Sequence, residues 1–316
     1  MNHSLTASSP VSKRLSPRKM AFITGTLLLT STGFICRILG FFYRIFMSRT
    51  IGAEGLGIYN MVHPIFSICF AVCAGSIQTA LSQYVAANQT RGRAVFRTGL
   101  VIAMGMSFLL AWVIYGNAGF LAEKLLLEPR CAPYLPVMAV SVPFAALHAC
   151  INGYYYGMQK ARVPAFSQVA EQVIRMGAVF LIASIWLESG RQITVSLAVY
   201  GHLIGEMASA VFTVFCLGFF PPCKDGDSRR APAIPLSFGA TAAPLMALAL
   251  PLMGNRLILN VLGSAEAIWI PNRLMSSGLT NSEALSVYGV LTSMALPFIL
   301  FPSAITNSMA VLLLPT

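Results

Sequence analysis

The sequence predicts an all-α polytopic membrane protein with about eight transmembrane helices. Three observations predict it. Of 316 residues, 56% are hydrophobic and only 10% are charged, whereas a soluble domain carries about 25% charged residues. The apolar residues, with a mean hydropathy of +0.73, fall into stretches long enough to cross a bilayer, about 20 residues each. Lys and Arg are unequally shared between alternate polar breaks, as the positive-inside rule requires of a multi-pass protein.

Residues 1–19 form a basic tail (Lys13, Arg14, Arg18, Lys19), read as disordered and cytoplasmic. With the apolar run behind it, this tail has the opening of a signal peptide. The run is too long for one, lacks a small-x-small cleavage site, and is interrupted by Arg37, so it reads as a retained first helix. Hydropathy then places spans at 20–47, 57–87, 95–116, 133–158, 164–187 and 193–220. These six make a first lobe, residues 20–220. Residues 221–236 mix charge with proline and read as a cytoplasmic linker. Two more spans, 237–262 and 284–314, begin a second lobe over 237–316. Gly and Pro within several spans are tolerated in membrane helices.

With the amino terminus inside, the inner segments hold twelve Lys and Arg residues. The outer ones hold five: Arg49, Lys124, Arg130, Arg191 and Arg273. The chain is therefore expected to run N-in with an even number of spans. A weak repeat crosses the linker at an offset of 229 residues: Glu-Gly-Leu-Gly-Ile-Tyr at 54–59 against Glu-Ala-Leu-Ser-Val-Tyr at 283–288. Transporters are often built from two such halves. On that reading spans seven and eight copy spans one and two, and four more would follow. The chain ends at Leu-Leu-Leu-Pro-Thr, so it is expected to be truncated.

Arg37 and Arg44 lie in the first apolar stretch with no acidic residue beside them. Seven residues is two helical turns, so they share nearly one face. A charge at that depth costs roughly 3 kcal/mol or more. Unneutralised guanidinium facing a bundle interior suits an anionic passenger, and its planar fork suits a diphosphate. The alternatives are that Arg37 bonds carbonyls or an acid on another helix, and that Arg44 snorkels to headgroups. Arg256 lies in span seven beside Asn255 and Asn260, where it would place a second positive charge facing Arg37. Glu171 and Arg175 stand one turn apart. They either neutralise each other or leave Arg175 facing the passenger with Glu171 tuning it. His202 and Glu206 are likewise one turn apart. With Glu171 they are candidates for proton or cation coupling, the alternative being a packed polar pair. Gly52, Glu54, Gly55 and Gly57 mark an outer loop between spans one and two, read as a gate or a simple turn. Asn152, Gln168 and Gln172 are placed to bond sugars or neighbouring helices.

Other function classes find no residues to propose them. The seven cysteines form no CxxC pair, and neither metal nor cofactor is expected. There is no Walker A loop, HExxH, nucleophile elbow or carboxylate cluster, so no enzyme is expected. Basic residues are scattered among loops, so no nucleic-acid partner is expected. Oligomeric state is not legible.

Several segments carry a resemblance. Arg-Ile-Leu-Gly-Phe-Phe-Tyr-Arg (37–44) and Ile-Gly-Ala-Glu-Gly-Leu-Gly-Ile-Tyr (51–59) resemble the first helix and loop of the stage V sporulation protein B family of polysaccharide exporters. Gly-Tyr-Tyr-Tyr-Gly-Met-Gln (153–159), Ser-Gln-Val-Ala-Glu-Gln-Val-Ile-Arg (167–175) and Ile-Pro-Asn-Arg-Leu (270–274) are similar to later parts of it, in the same order. The resemblance implies the multidrug/oligosaccharidyl-lipid/polysaccharide superfamily of MATE-like flippases in a bacterial cytoplasmic membrane. Its members have two lobes around a cavity that opens alternately to either side. In the related lipid II flippases the first helix carries two cavity arginines. Arg37 matches the first in its Arg-x-Leu-Gly setting, and Arg44 the second at a spacing one residue longer. The implied passenger is an undecaprenyl-diphosphate-linked glycan, with the bilayer as the other partner. The alternatives are a cation-coupled multidrug exporter, a non-transporting fragment, and a lipid-linked sugar transferase.

Overall fold

Gly52 decides how the first half of the bundle is built. The computed structural model describes residues 17–222 and 238–300, and helix accounts for nearly all of them. Helix α1 runs Pro17–Phe70, passes through a π turn at Ala71–Gly75, and continues as α2, Ser76–Ala87. The apolar part, Thr24–Ala87, is 64 residues long. At 1.5 Å per residue it would extend about 96 Å, three times a bilayer core. Gly52 breaks it with φ 75° and ψ 175°, a region essentially reserved for glycine. One residue thus turns a single helix into two spans.

The rest follows as antiparallel spans: α3 Gly92–Gly116, a three-residue turn α4 Ala118–Phe120, α5 Leu135–Gly157, α6 Arg162–Glu188 and α7 Ser196–Phe219. Beyond the linker come α8 Phe238–Ser276 and α9 Asn281–Val290, the latter running into a π turn at Leu291–Ala295. With the break at Gly52, the seven apolar helices long enough to cross a membrane make eight spans among the described residues. Without water in the bilayer core, each span must satisfy its own backbone groups, which selects helices.

The differences from the sequence reading have local causes. The expected loop over 48–56 is helical except at Gly52, because its residues include no proline and several good helix formers. Span seven, expected to end at 262, continues to Ser276. Its polar residues bond their own helix: Ser264 Oγ donates to Asn260 O and Asn272 Nδ2 to Ile268 O. Pro17 opens α1, so the last three residues of the expected tail are helical. The remainder of that tail, most of the linker, and residues 301–316 lie outside the described residues.

The core lies where α2 packs on α5, with α3 and α7 against α5 and α6 against α7. Cys73, Ala74, Ile77 and Leu81 are fully buried there, as are Ala145, Ala146, Ala149 and Cys150. Small side chains let membrane helices approach closely. Large apolar side chains face outward instead: Trp112 is 74% exposed and Trp269 is 70% exposed, as expected of faces that meet lipid.

At the Gly52 end the helices after the linker close onto the first spans. A Cβ on Gly57 would lie 2.2 Å from Leu285 O, and one on Gly289 would lie 2.1 Å from Ala53 O. Only glycine permits that crossing. Asn60 Nδ2 donates to Thr292 Oγ1 and Ser293 Oγ, each at 2.7 Å. Beside them Arg130 bridges Glu54 (2.6 Å), Glu128 (2.8 Å) and Asn281 (3.1 Å). Asn281 in turn donates to Glu128 at 2.9 Å. Burial pushes the Glu128 carboxyl upward, but the hydrogen bonds from Arg130 and Asn281 outweigh it and hold its pKa below the ordinary value. Hydrogen bonds to Glu128 raise that of Arg130. A capping box between Thr280 and Glu283 fixes the start of α9 against this network.

A polar cavity among the helices

Away from that end, span two, α5, α6, α7 and α8 enclose a cavity of about 570 Å³. Its walls are polar at a depth where a membrane bundle is ordinarily apolar. Arg175 stands at the middle of α6 and Arg256 near the middle of α8, and both line it. Arg175 is ion-paired with Glu171, one turn before it. No carboxylate pairs with Arg256 among the described residues. Its Nη2 donates to Thr79 Oγ1 at 3.0 Å. Asn260, one turn on, donates to the Arg256 carbonyl at 2.8 Å.

The opposite wall is a cluster of imidazoles around one carboxylate. Glu206 Oε2 meets His148 Nε2 at 2.8 Å, and Glu206 Oε1 lies 3.9 Å from His202 Nε2. The rings of His202 and His63 are 5.8 Å apart, and Phe66 caps His202 edge-on at 4.4 Å. His63 Nδ1 pairs with Ser67 Oγ at 3.2 Å, and Ser167 with Ser209 at 2.7 Å. Among the described residues, four buried side-chain polar atoms have no hydrogen-bond partner: His148 Nδ1, Asn152 Oδ1, Arg175 Nε and His202 Nε2. An unsatisfied buried polar atom costs about 1–3 kcal/mol. Their convergence on one cavity marks a place suited to a polar ligand or water.

The structure brings together Glu171, Arg175, His202, Glu206 and Arg256, all singled out in the sequence. It leaves the others apart. Arg37 is on an exposed face of α1 and is not in the lining. Arg44 lines a separate, largely apolar groove of about 430 Å³ with Phe41, Arg49, Met294 and Phe298. Gly52, Glu54 and Gly57 belong to the closed end, and Gly55 sits against Ile51 across the Gly52 break. His63 and His148 are members that sequence reasoning missed. One signal was available: the chain has only four histidines, and three of them lie within apolar helices and line this cavity. No group of three His, Cys, Asp or Glu among the described residues is placed to hold a metal ion.

The family profile described as "Polysaccharide biosynthesis protein" matches residues 22–316. Stage V sporulation protein B of Bacillus subtilis (strain 168) is 30% identical over 303 residues, covering 94% of this chain and 58% of that protein. Lipid II flippase MurJ of the same organism is 23% identical over 206 residues, 60% of this chain and 38% of that one. The chain thus spans well under two thirds of these relatives' length. Among solved structures, the eukaryotic MATE transporter AtDTX14 superposes with a TM-score of 0.59 at 14% identity, over 93% of this chain and 63% of that one. That likeness is one of fold.

Proposed function

Because the chain belongs to the polysaccharide biosynthesis protein family, we propose that it moves a lipid-linked anionic glycan, of the polyprenyl-diphosphate type, across the membrane by alternating access. The observation that carries this reading is the cavity, with guanidinium groups reaching it from α6 and from α8. Its volume lies within the roughly 300–1,000 Å³ of ligand sites. A diphosphate there accepts paired N–H bonds from Arg256 and shares Arg175 with Glu171, in surroundings of low dielectric where such bonds are strong. Asn152 and Gln168 present amides to sugar hydroxyls. The lipid tail stays in the bilayer, and Arg37 and Arg44, on the outer surface of α1, guide the headgroup.

With the amino terminus cytoplasmic, the Gly52 end is the outer one, and the chamber belongs to a state closed to the outside. Gly52, Glu54, Gly55 and Gly57 then serve as the outer gate of the first lobe against the second. Movement to the other state requires a passenger or ion with unequal affinity for the two. Glu206 with His148 and His202, beside Glu171, supplies the coupling group. The membrane potential adds about 2.3 kcal/mol per charge per 100 mV.

The competing reading is a cation-coupled multidrug exporter. It needs carboxylates open to a cationic ligand, and both acids in the cavity are engaged, Glu171 by Arg175 and Glu206 by His148. The test is binding to the purified 316-residue protein in detergent. Undecaprenyl diphosphate should bind at least tenfold more tightly than undecaprenol, and a cationic dye should not compete. Equal affinity for the two lipids, or displacement by the dye, overturns the proposal.

A further inference from the structure

The Arg256 side chain is held by span two rather than by its own helix neighbours. We infer that Gly75 and Thr79 are positioning residues that seat Arg256 as the anion-binding group of the cavity, at the junction of the span-two π turn and α8. This deepens the proposed function and rests on it.

The seat is built from local rules. The π turn Ala71–Gly75 widens the helix by one residue, and Ser76 Oγ donates back to Ala71 O at 2.7 Å. Gly75 and Thr79, four apart, then present a bare backbone patch and a hydroxyl on one face. Thr79 Oγ1 donates to Gly75 O at 3.1 Å. Its proton is thereby committed, so its lone pairs face outward and accept from Arg256 Nη2 at 3.0 Å. A Cβ on Gly75 would sit 2.2 Å from Arg256 Nη1 and 3.4 Å from its Cζ. The guanidinium therefore turns its Nη1 end toward the bare glycine, with Nη2 held by one neutral acceptor. A guanidinium has five N–H donors, so most remain for a ligand. A chemically suited ligand presents several anionic oxygens in a plane or fork, as a phosphate or diphosphate does. The same hydrogen bond joins the segments on either side of the linker.

The seat makes a specific prediction about substitution. A Gly75 methyl group would strike the far end of a flexible side chain, Arg256 Nη1, and press less closely on the ring edge of Phe70 at 3.0 Å. Gly75→Ala should therefore displace the guanidinium while the bundle stays folded. Thr79→Val removes the acceptor at nearly constant volume, and Thr79→Ser keeps it.

The experiment measures binding of inorganic diphosphate to the purified protein in detergent, with circular dichroism and the thermal midpoint as checks on folding. Wild type should bind, and Arg256→Ala and Gly75→Ala should each weaken binding about tenfold or more. Thr79→Val should weaken it severalfold, and Thr79→Ser should restore it. Gly75→Ala should cost nothing further in the Arg256→Ala background. Independent, multiplying losses in the double variant would overturn the seat, as would a Thr79→Ser protein no better than Thr79→Val. If wild type binds no diphosphate, the proposed function falls and the seat with it. If Arg256→Ala weakens binding and Gly75→Ala does not, the seat alone falls.

Discussion

Gly57→Ala offers a sharp test of how the two ends of the bundle differ. The added methyl carbon would lie 2.2 Å from Leu285 O and 2.9 Å from the carbonyl carbon of that residue. Both obstacles are backbone, so no rotamer change relieves them. Carbon atoms rest about 3.5 Å or more from non-bonded neighbours. Span two and α9 must therefore part by about 1 Å or the contact is lost. Overpacking of this kind costs about 1–3 kcal/mol, which shifts a closed-to-open equilibrium by roughly 5- to 150-fold at 1.4 kcal/mol per decade. The assay places cysteines at positions 60 and 293, whose native side chains meet at 2.7 Å, in a background without the native cysteines. Disulfide yield should be high with Gly57 and should fall at least fivefold with Gly57→Ala. A matching loss is expected for Gly289→Ala, whose methyl would strike Ala53 O at 2.1 Å. Equal yields and equal thermal midpoints in parent and variant would refute the crossing and the closed end built on it.

Other expectations follow from the same geometry. Gly52→Ala forces an alanine to φ 75° and should cost about 1–3 kcal/mol, read as a lower thermal midpoint; a midpoint within 1 °C of the parent would mean that the break tolerates a side chain. Because the Glu128 pKa is depressed in the folded protein, its contribution is present above the ordinary carboxylate range and is lost as pH falls through the depressed value. The thermal midpoint should therefore fall on acidification below about pH 4, and Glu128→Gln should flatten that response. His148→Ala leaves Glu206 buried with its close partner gone and should destabilise by about 3 kcal/mol. Adding Glu206→Gln should recover much of that loss, whereas additive losses would mean that the two groups do not interact as placed.

Hydropathy and charge made the eight spans legible, because bilayer thickness sets helix length and the reading needs no tertiary knowledge. Pairs one turn apart, Glu171 with Arg175 and His202 with Glu206, were legible for the same reason: helical period alone places them on one face. What was not legible is contact between distant segments. His148 and Glu206 are 58 residues apart, and nothing in the spacing joins them. Arg130 served only as one count in the charge asymmetry, yet it ties Glu54 to Glu128 and Asn281. Gly52 was read as part of a loop because glycine-rich polar stretches usually form one; here a single left-handed residue suffices. The first-span arginines show the limit from the other side. Helical period puts them on nearly one face, but whether that face meets the cavity depends on how α1 packs on α6 and α9.

Translocation itself is the plainest readout of the proposed function. Proteoliposomes holding the 316-residue protein would receive a fluorescent undecaprenyl-diphosphate-linked sugar in one leaflet, and its arrival in the other would be followed with a membrane-impermeant quencher. Transfer should occur with the native chain and be lost when Arg175 and Arg256 are both replaced by alanine. Transfer no faster than in protein-free liposomes, or undiminished by the double replacement, would contradict the proposed function.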